Sequence, residues 1–180
     1  MIHESSPWKK TLFQDAELLE RWAAKPCSPR RSFILERKVF LAAYSLRKLR
    51  ENIKISNATL DLEVSVKISP PIQTGFSNMH NWFDKYFDLQ NPISCQMPWY
   101  RILNILIHSA TFVEVIDNED RITGFMVTSD RELKRGLIHV DLAAFIDLMR
   151  TAAQDYPTHI QQCRHPETRK WITWAGHVGP

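Results

Sequence analysis

The sequence predicts an α+β fold: a small antiparallel sheet of about four strands packed against a helical layer built around one long central helix. Three observations predict it. Residues 28–55 carry apolar side chains at helical spacing, residues 61–68 alternate apolar and polar side chains, and two β-branched runs at 111–116 and 122–128 flank a short acidic turn. These strands join as hairpins without strand–helix–strand alternation, which argues against a parallel sheet.

Residues 1–10 read as a loose N-terminal arm. Asp15 then caps a short helix that stops at Pro26, with Leu18, Leu19 and Trp22 on a narrow apolar side. The long helix starts at Ser28, whose hydroxyl can accept from orphan amides, and Pro29 gives up a donor that had no partner there. Leu35, Val39, Ala42, Leu46, Leu49 and Ile53 form one continuous stripe. Phe33, Phe40 and Tyr44, flanked by Ile34 and Leu41, form a second stripe on nearly the opposite side. An exposed Leu or Phe forgoes about 1.5–3 kcal/mol of transfer free energy, so each stripe is expected to be covered. Arg47, Lys48, Arg50 and Lys54 crowd the last turns, where cations meet the negative end of the helix dipole, and Ser56-Asn57 closes the helix.

Beyond it, Asp61–Ile68 predicts a half-buried strand with Leu62, Val64, Val66 and Ile68 inward, ended by Pro70-Pro71. Asn78–Phe87 reads as a short aromatic helix broken by Asn91-Pro92, and Pro98 opens a deeply buried helix to about His108. The hairpin follows, then Leu137–Val140 as a further strand of the meander. Asp141 caps a final helix, Leu142 to about Gln154, with Phe145, Leu148, Met149 and Ala152 on one face. Residues 156–180 lose periodicity and are expected to dock as an extended strap through Trp171, Ile172 and Trp174. The whole chain, 1–180, reads as a single globular domain.

Composition limits function. Hydrophobic residues make up 44% and charged residues 24% of the 180, values typical of a soluble globular protein. The net charge of +3 is spread unevenly: residues 1–58 hold 12 Lys/Arg and 6 Asp/Glu, residues 59–130 hold 4 and 9, and residues 131–180 hold 7 and 5. No run approaches the eighteen or so apolar residues of a membrane span, and three scattered cysteines (Cys27, Cys95, Cys163) suit a reducing compartment, so the expected location is the cytoplasm. Glycine-rich phosphate loops, Gly-x-Ser-x-Gly, His-Glu-x-x-His and Cys-x-x-Cys are all missing.

Four constellations carry chemistry. His80 and Asp84, one helical turn apart beside Trp82, could pair for proton transfer, although a surface pair is the plainer reading. Arg47 lies on the flank of the aromatic stripe near Tyr44, where it could stack on a ring, pair with a buried carboxylate or hold an anionic ligand; the structural pairing is preferred. Cys163, His165 and His177, with Cys95 elsewhere, are too poorly spaced for structural zinc, so no metal or other cofactor is expected. The tail Arg164–Trp174, with Arg169 and Lys170 beside its tryptophans, has the basic and aromatic mixture that grips single strands, but docking on the core is preferred.

The expected function is therefore a non-enzymatic interaction or regulatory module acting on a protein partner or as a homo-oligomer. Nucleic-acid binding through Lys48, Arg50 and Lys54 of the 30–54 helix, or Arg169 and Lys170 of the tail, is the runner-up. A third reading is a small-molecule pocket made by Tyr44, Arg47, His80, Trp82 and Asp84.

Overall fold

Helix α1 (Ser6–Ala23) opens with a proline in its first turn and buries Lys9, Leu12, Ala16 and Leu19 along one stripe. It thus begins well before Asp15. The residues before it are also fixed in place, since Ile2 is buried and its N–H donates to Asn52 Oδ1 at 3.0 Å. These positions come from a computed structural model that describes residues 2–77 and 82–177. Helix α2 (Pro29–Glu51) is capped by Ser28 Oγ, which accepts from the Arg31 N–H at 3.4 Å. Leu35, Val39, Ala42, Ala43, Leu46 and Leu49 are buried on it as the first stripe requires. Ile53 lies past the helix end at φ +60°, with the Lys54 N–H bonded to the Leu49 carbonyl and the Ile53 N–H to that of Arg50. That is a Schellman closure built on a β-branched residue where glycine is usual.

The second stripe of α2 is not covered. Phe33, Leu41 and Tyr44 are 62%, 46% and 48% exposed, and of that stripe Phe40 makes a ring contact, at 5.3 Å from Phe112. A transfer free energy penalty does not force burial of every apolar side chain, because folded surfaces are themselves largely apolar. The remaining elements pack on the first stripe and its flank.

Five strands form one antiparallel sheet in the order β2-β1-β5-β4-β3: β1 (Glu63–Ser69), β2 (Ile93–Pro98), β3 (Ser109–Ile116), β4 (Ile122–Ser129) and β5 (Leu137–Asp141). The hairpin β3–β4 and the strand β5 beside it fall where the sequence places them. Strand β2 was not foreseen; it pairs with β1 from Glu63↔Pro98 to Ile68↔Ile93, and its flanking prolines are tolerated because it is an edge. Short helix α3 (Asn57–Asp61) precedes β1 and turns Leu62, expected inward, out to 63% exposure. Between β1 and β2 the described helix α4 covers only Phe83–Tyr86.

The inward face of the sheet carries Val66, Met97, Ile138, Val140, Phe125 and Val127, and on it lie α5 (Trp99–Ile107) and α6 (Leu142–Gln154). Asp141 caps α6 by accepting from the Ala144 N–H at 2.9 Å. Phe112 stacks on Phe125 at 5.3 Å and Phe125 meets Phe145 edge to face at 5.6 Å, joining sheet to helix, and α1 lies along α6, with Arg150 bonded to Glu17 at 2.8 Å. The opposite face presents Ser65, Lys67, Gln96 and His139. The last segment is a separate two-stranded hairpin, β6 (His159–Arg164) with β7 (Trp171–Gly176). All six residues of β6 are exposed, as are Trp171, Ile172 and Trp174 at 62%, 48% and 43%. The expected docked strap is thereby replaced by a hairpin attached through its base.

Gly136 sits at φ +127°, and a Cβ there would lie 2.2 Å from the Ser69 carbonyl oxygen, whereas Gly75 at φ +87° faces open space. Gly136→Ala should therefore destabilise by several kcal/mol and Gly75→Ala by only about 1 kcal/mol, the left-handed penalty alone. Urea titration of the two variants checks the difference.

Candidate functional site

Asp155, just past the end of α6, is 7% exposed and collects the densest polar network in the described residues. Its Oδ2 accepts from the Ser56 N–H at 2.7 Å, from the Ser56 hydroxyl at 2.6 Å and from the Thr59 hydroxyl, while its Oδ1 meets His177 Nε2 at 2.8 Å. Lys9, 1% exposed, donates its ammonium to the Asp155 backbone carbonyl and stands 3.5 Å over the Tyr156 ring. Burial alone would raise the Asp155 pKa, but the hydrogen bonds from Ser56, Thr59 and His177 outweigh it and hold the carboxyl below its ordinary value. Burial likewise pushes Lys9 down, against the opposing pull of Asp155.

Serine, histidine and aspartate meet here, but in the wrong order for nucleophilic catalysis. A triad places the imidazole between hydroxyl and carboxylate so that it can take the hydroxyl proton; here the carboxylate lies between Ser56 and His177. The arrangement is a clamp that ties the start of α3 and the end of the C-terminal hairpin to α6. A second pair, Ser69 Oγ and His139 Nε2 at 2.9 Å, is closer to a catalytic geometry, yet Ser69 is fully buried and cannot meet a substrate. Burial and neighbouring Lys67 push the His139 pKa down, which keeps the ring neutral near pH 7.

The residues expected to bind ligand are dispersed. Arg47 donates from Nε to Glu51 at 2.8 Å, and Lys48 pairs with the same carboxylate at 2.6 Å, so the partner of Arg47 is a surface carboxylate one turn along its own helix and not a buried one. The one carboxylate offsets one of the two positive charges. Arg50 lies 2.7 Å from Asp61 and 5.5 Å from the Tyr100 ring. A groove of about 350 Å³ or less, here 280 Å³, is lined by Arg47, Arg50, Glu51, Leu60, Tyr100, Leu103 and Asn104, without Tyr44, Trp82 or Asp84. Trp82 and Asp84 sit exposed at α4, with Lys85 3.9 Å from the Trp82 ring, and His80 lies outside the described residues. Cys163 is in mid-β6 opposite Ile172, His165 accepts two turn amides, and His177 is held by Asp155, while Cys95 is in the sheet; among the described residues no three potential ligands gather.

The C-terminal hairpin stands out by exposure and composition. Its cross-strand register places Arg164 opposite Trp171 and Gln161 opposite Trp174, so a tryptophan projects from each face. The Arg164 guanidinium lies 5.0 Å from the Trp171 ring, and His159 lies 5.9 Å from that of Trp174. Arg169 turns the connecting loop at φ +54°. Arg164, Arg169 and Lys170 form no ion pair among the described residues. At the base, Asn57 Oδ1 accepts from the Ala175 N–H at 2.9 Å, and a groove of about 320 Å³ separates β7 from Arg50, Glu51 and Ile53. The basic and aromatic composition of this stretch was legible in the sequence; its exposure was not. No helix among the described residues is long and apolar enough to cross a membrane. Comparison with protein-family models, with curated proteins and with solved structures finds no match.

Removing the clamp carboxylate should be costly. Asp155→Ala strands the Ser56 and Thr59 donors and is expected to destabilise by about 3 kcal/mol or more. Because the folded-state pKa of Asp155 is lowered, its contribution is complete above about pH 4, the unfolded value, and is lost as pH falls through the folded one. Asp155→Asn should flatten this acid limb of stability against pH, measured by denaturant midpoints between pH 2 and 7. An unchanged limb would assign acid sensitivity to other groups.

Proposed function

We propose that the protein is a non-enzymatic interaction module whose β6–β7 hairpin is its contact element for a protein partner. The observation that carries this reading is a hairpin exposed on both faces that displays Ile160, Trp171, Ile172 and Trp174 to solvent. An isolated two-stranded hairpin is marginally stable in water, so these side chains gain most by being covered. Tryptophan and arginine are also the residue types that dominate binding energy at protein interfaces. The wrong-order serine, histidine and aspartate cluster and the surface pairing of Arg47 and Lys48 with Glu51 give no comparable support to an enzyme or an anion pocket.

Trp171 is 62% exposed, so Trp171→Ala should change stability by about 0.5 kcal/mol or less, whereas the Trp171→Ala, Trp174→Ala double variant should lose more, because Trp174 is over half buried and lies against Gly176 and His159. The same double variant should lose the partner that wild-type protein recovers from its native cells, and the loss should repeat with purified components. A double variant that binds that partner as tightly as wild type sinks the reading.

A nucleic-acid reading is favoured by one specific observation, three cations without an ion pair among the described residues beside two exposed tryptophans, one of them stacked by Arg164. It predicts anisotropy-detected binding of single-stranded DNA or RNA whose log affinity falls linearly with log salt. Absence of binding at low salt removes it.

A further inference from the structure

Resting on the reading of the hairpin as the contact element, we infer that its partner is a second copy of this chain, which receives the cationic end of the hairpin in an acidic groove beside α6. The groove holds about 350 Å³ and lies where the end of α1, the β3–β4 turn and the first turns of α6 meet. Four carboxylates line it; Glu20 pairs with Arg150 at 2.5 Å and Asp117 with Arg121 at 3.0 Å, so Asp141 and Asp147 carry the excess negative charge, and Ile146 adds apolar surface. Asp147 is the least committed of the four: its side chain is 74% exposed and its nearest cation, Arg150, is 3.8 Å away. The hairpin carries the complementary set, Arg164, Arg169 and Lys170 beside Trp171, with Glu167 as its one acidic residue.

Geometry makes the contact intermolecular. None of the groove's lining residues belongs to the hairpin, which is anchored past the C-terminal end of α6 through His177 on Asp155 and Ala175 on Asn57 and borders Arg50, Glu51 and Ile53 instead. A hairpin fixed at its base on one end of the helix reaches the groove of another molecule in place of its own. Hairpin and groove are different surfaces, so the contact is heterologous unless two copies exchange hairpins about a two-fold axis. Opposite charge at the rim sets the register and makes the association sensitive to salt, while the tryptophan supplies apolar burial.

The test is light scattering on the full chain after size exclusion, across concentration and salt, with three samples. Wild type should associate at low salt and dissociate as salt rises. Arg169→Glu with Lys170→Glu, and separately Asp147→Lys, should each weaken association at least about tenfold, the change made by 1.4 kcal/mol. Mixing the two reversed variants should restore a complex, because each supplies the charge that the other lacks. Circular dichroism that matches wild type excludes misfolding as the cause. Wild type that stays monomeric at low salt overturns the inference and leaves the hairpin reading to its own partner test. Association lost in the hairpin variant but kept in Asp147→Lys overturns the groove while supporting the hairpin. Association untouched by either reversal overturns both.

Discussion

One buried carboxylate holds four stretches of this chain together. Asp155 takes the opening N–H of α3 and two hydroxyls on one oxygen and the His177 imidazole on the other, and its backbone carbonyl takes the Lys9 ammonium of α1. Taking a carboxylate out of water is expensive, and only dense hydrogen bonding reverses the cost. The same bonds decide where the C-terminal segment departs from the body. A fixed base and free faces follow from one anchoring point, and the exposure of the hairpin is a consequence of how little else holds it.

Much of the fold was legible because local and tertiary demands agree. The α6 stripe of Phe145, Leu148, Met149 and Ala152 needs the same face that the core offers, and Asp141 caps it as its position implies. The misreadings lie where a local signal was weak or had two meanings. Lys9 concealed the start of α1, because a lysine on an apolar stripe reads as solvent until a carbonyl and a tyrosine ring are found to receive it. In β2 the alternation of Ile93, Cys95 and Met97 is masked by Pro92 and Pro98. The β6–β7 turn uses Arg169 in a left-handed conformation with no glycine to announce it. Asp155 itself had no signature, since its partners lie about a hundred residues away at Ser56 and Thr59 and at the end of the chain.

Charge and exposure together locate the surfaces available for binding. On α2, Arg30, Arg37 and Lys48 share an outward face with Phe33, Leu41 and Tyr44, repeating the basic and aromatic mixture of the hairpin on a rigid helix. Asp117, Glu119 and Asp120 lie in the β3–β4 turn, and Asp117 lines one groove with Asp141 and with Asp147 of α6.

The strand order carries a consequence for how the chain reaches this state. Strands β1 and β2 are neighbours in sequence, as are β3, β4 and β5, but the two groups meet only where β1 pairs with β5, at Lys67↔His139, Ile68↔Ile138 and Ser69↔Leu137. Closing a loop of that length costs entropy that local pairing does not. Folding thus divides into two quickly formed local sheets and a slower joining step at a three-pair seam. Gly136, packed against the Ser69 carbonyl, lies at that seam, so a side chain there impedes the joining of the halves while leaving each free to form.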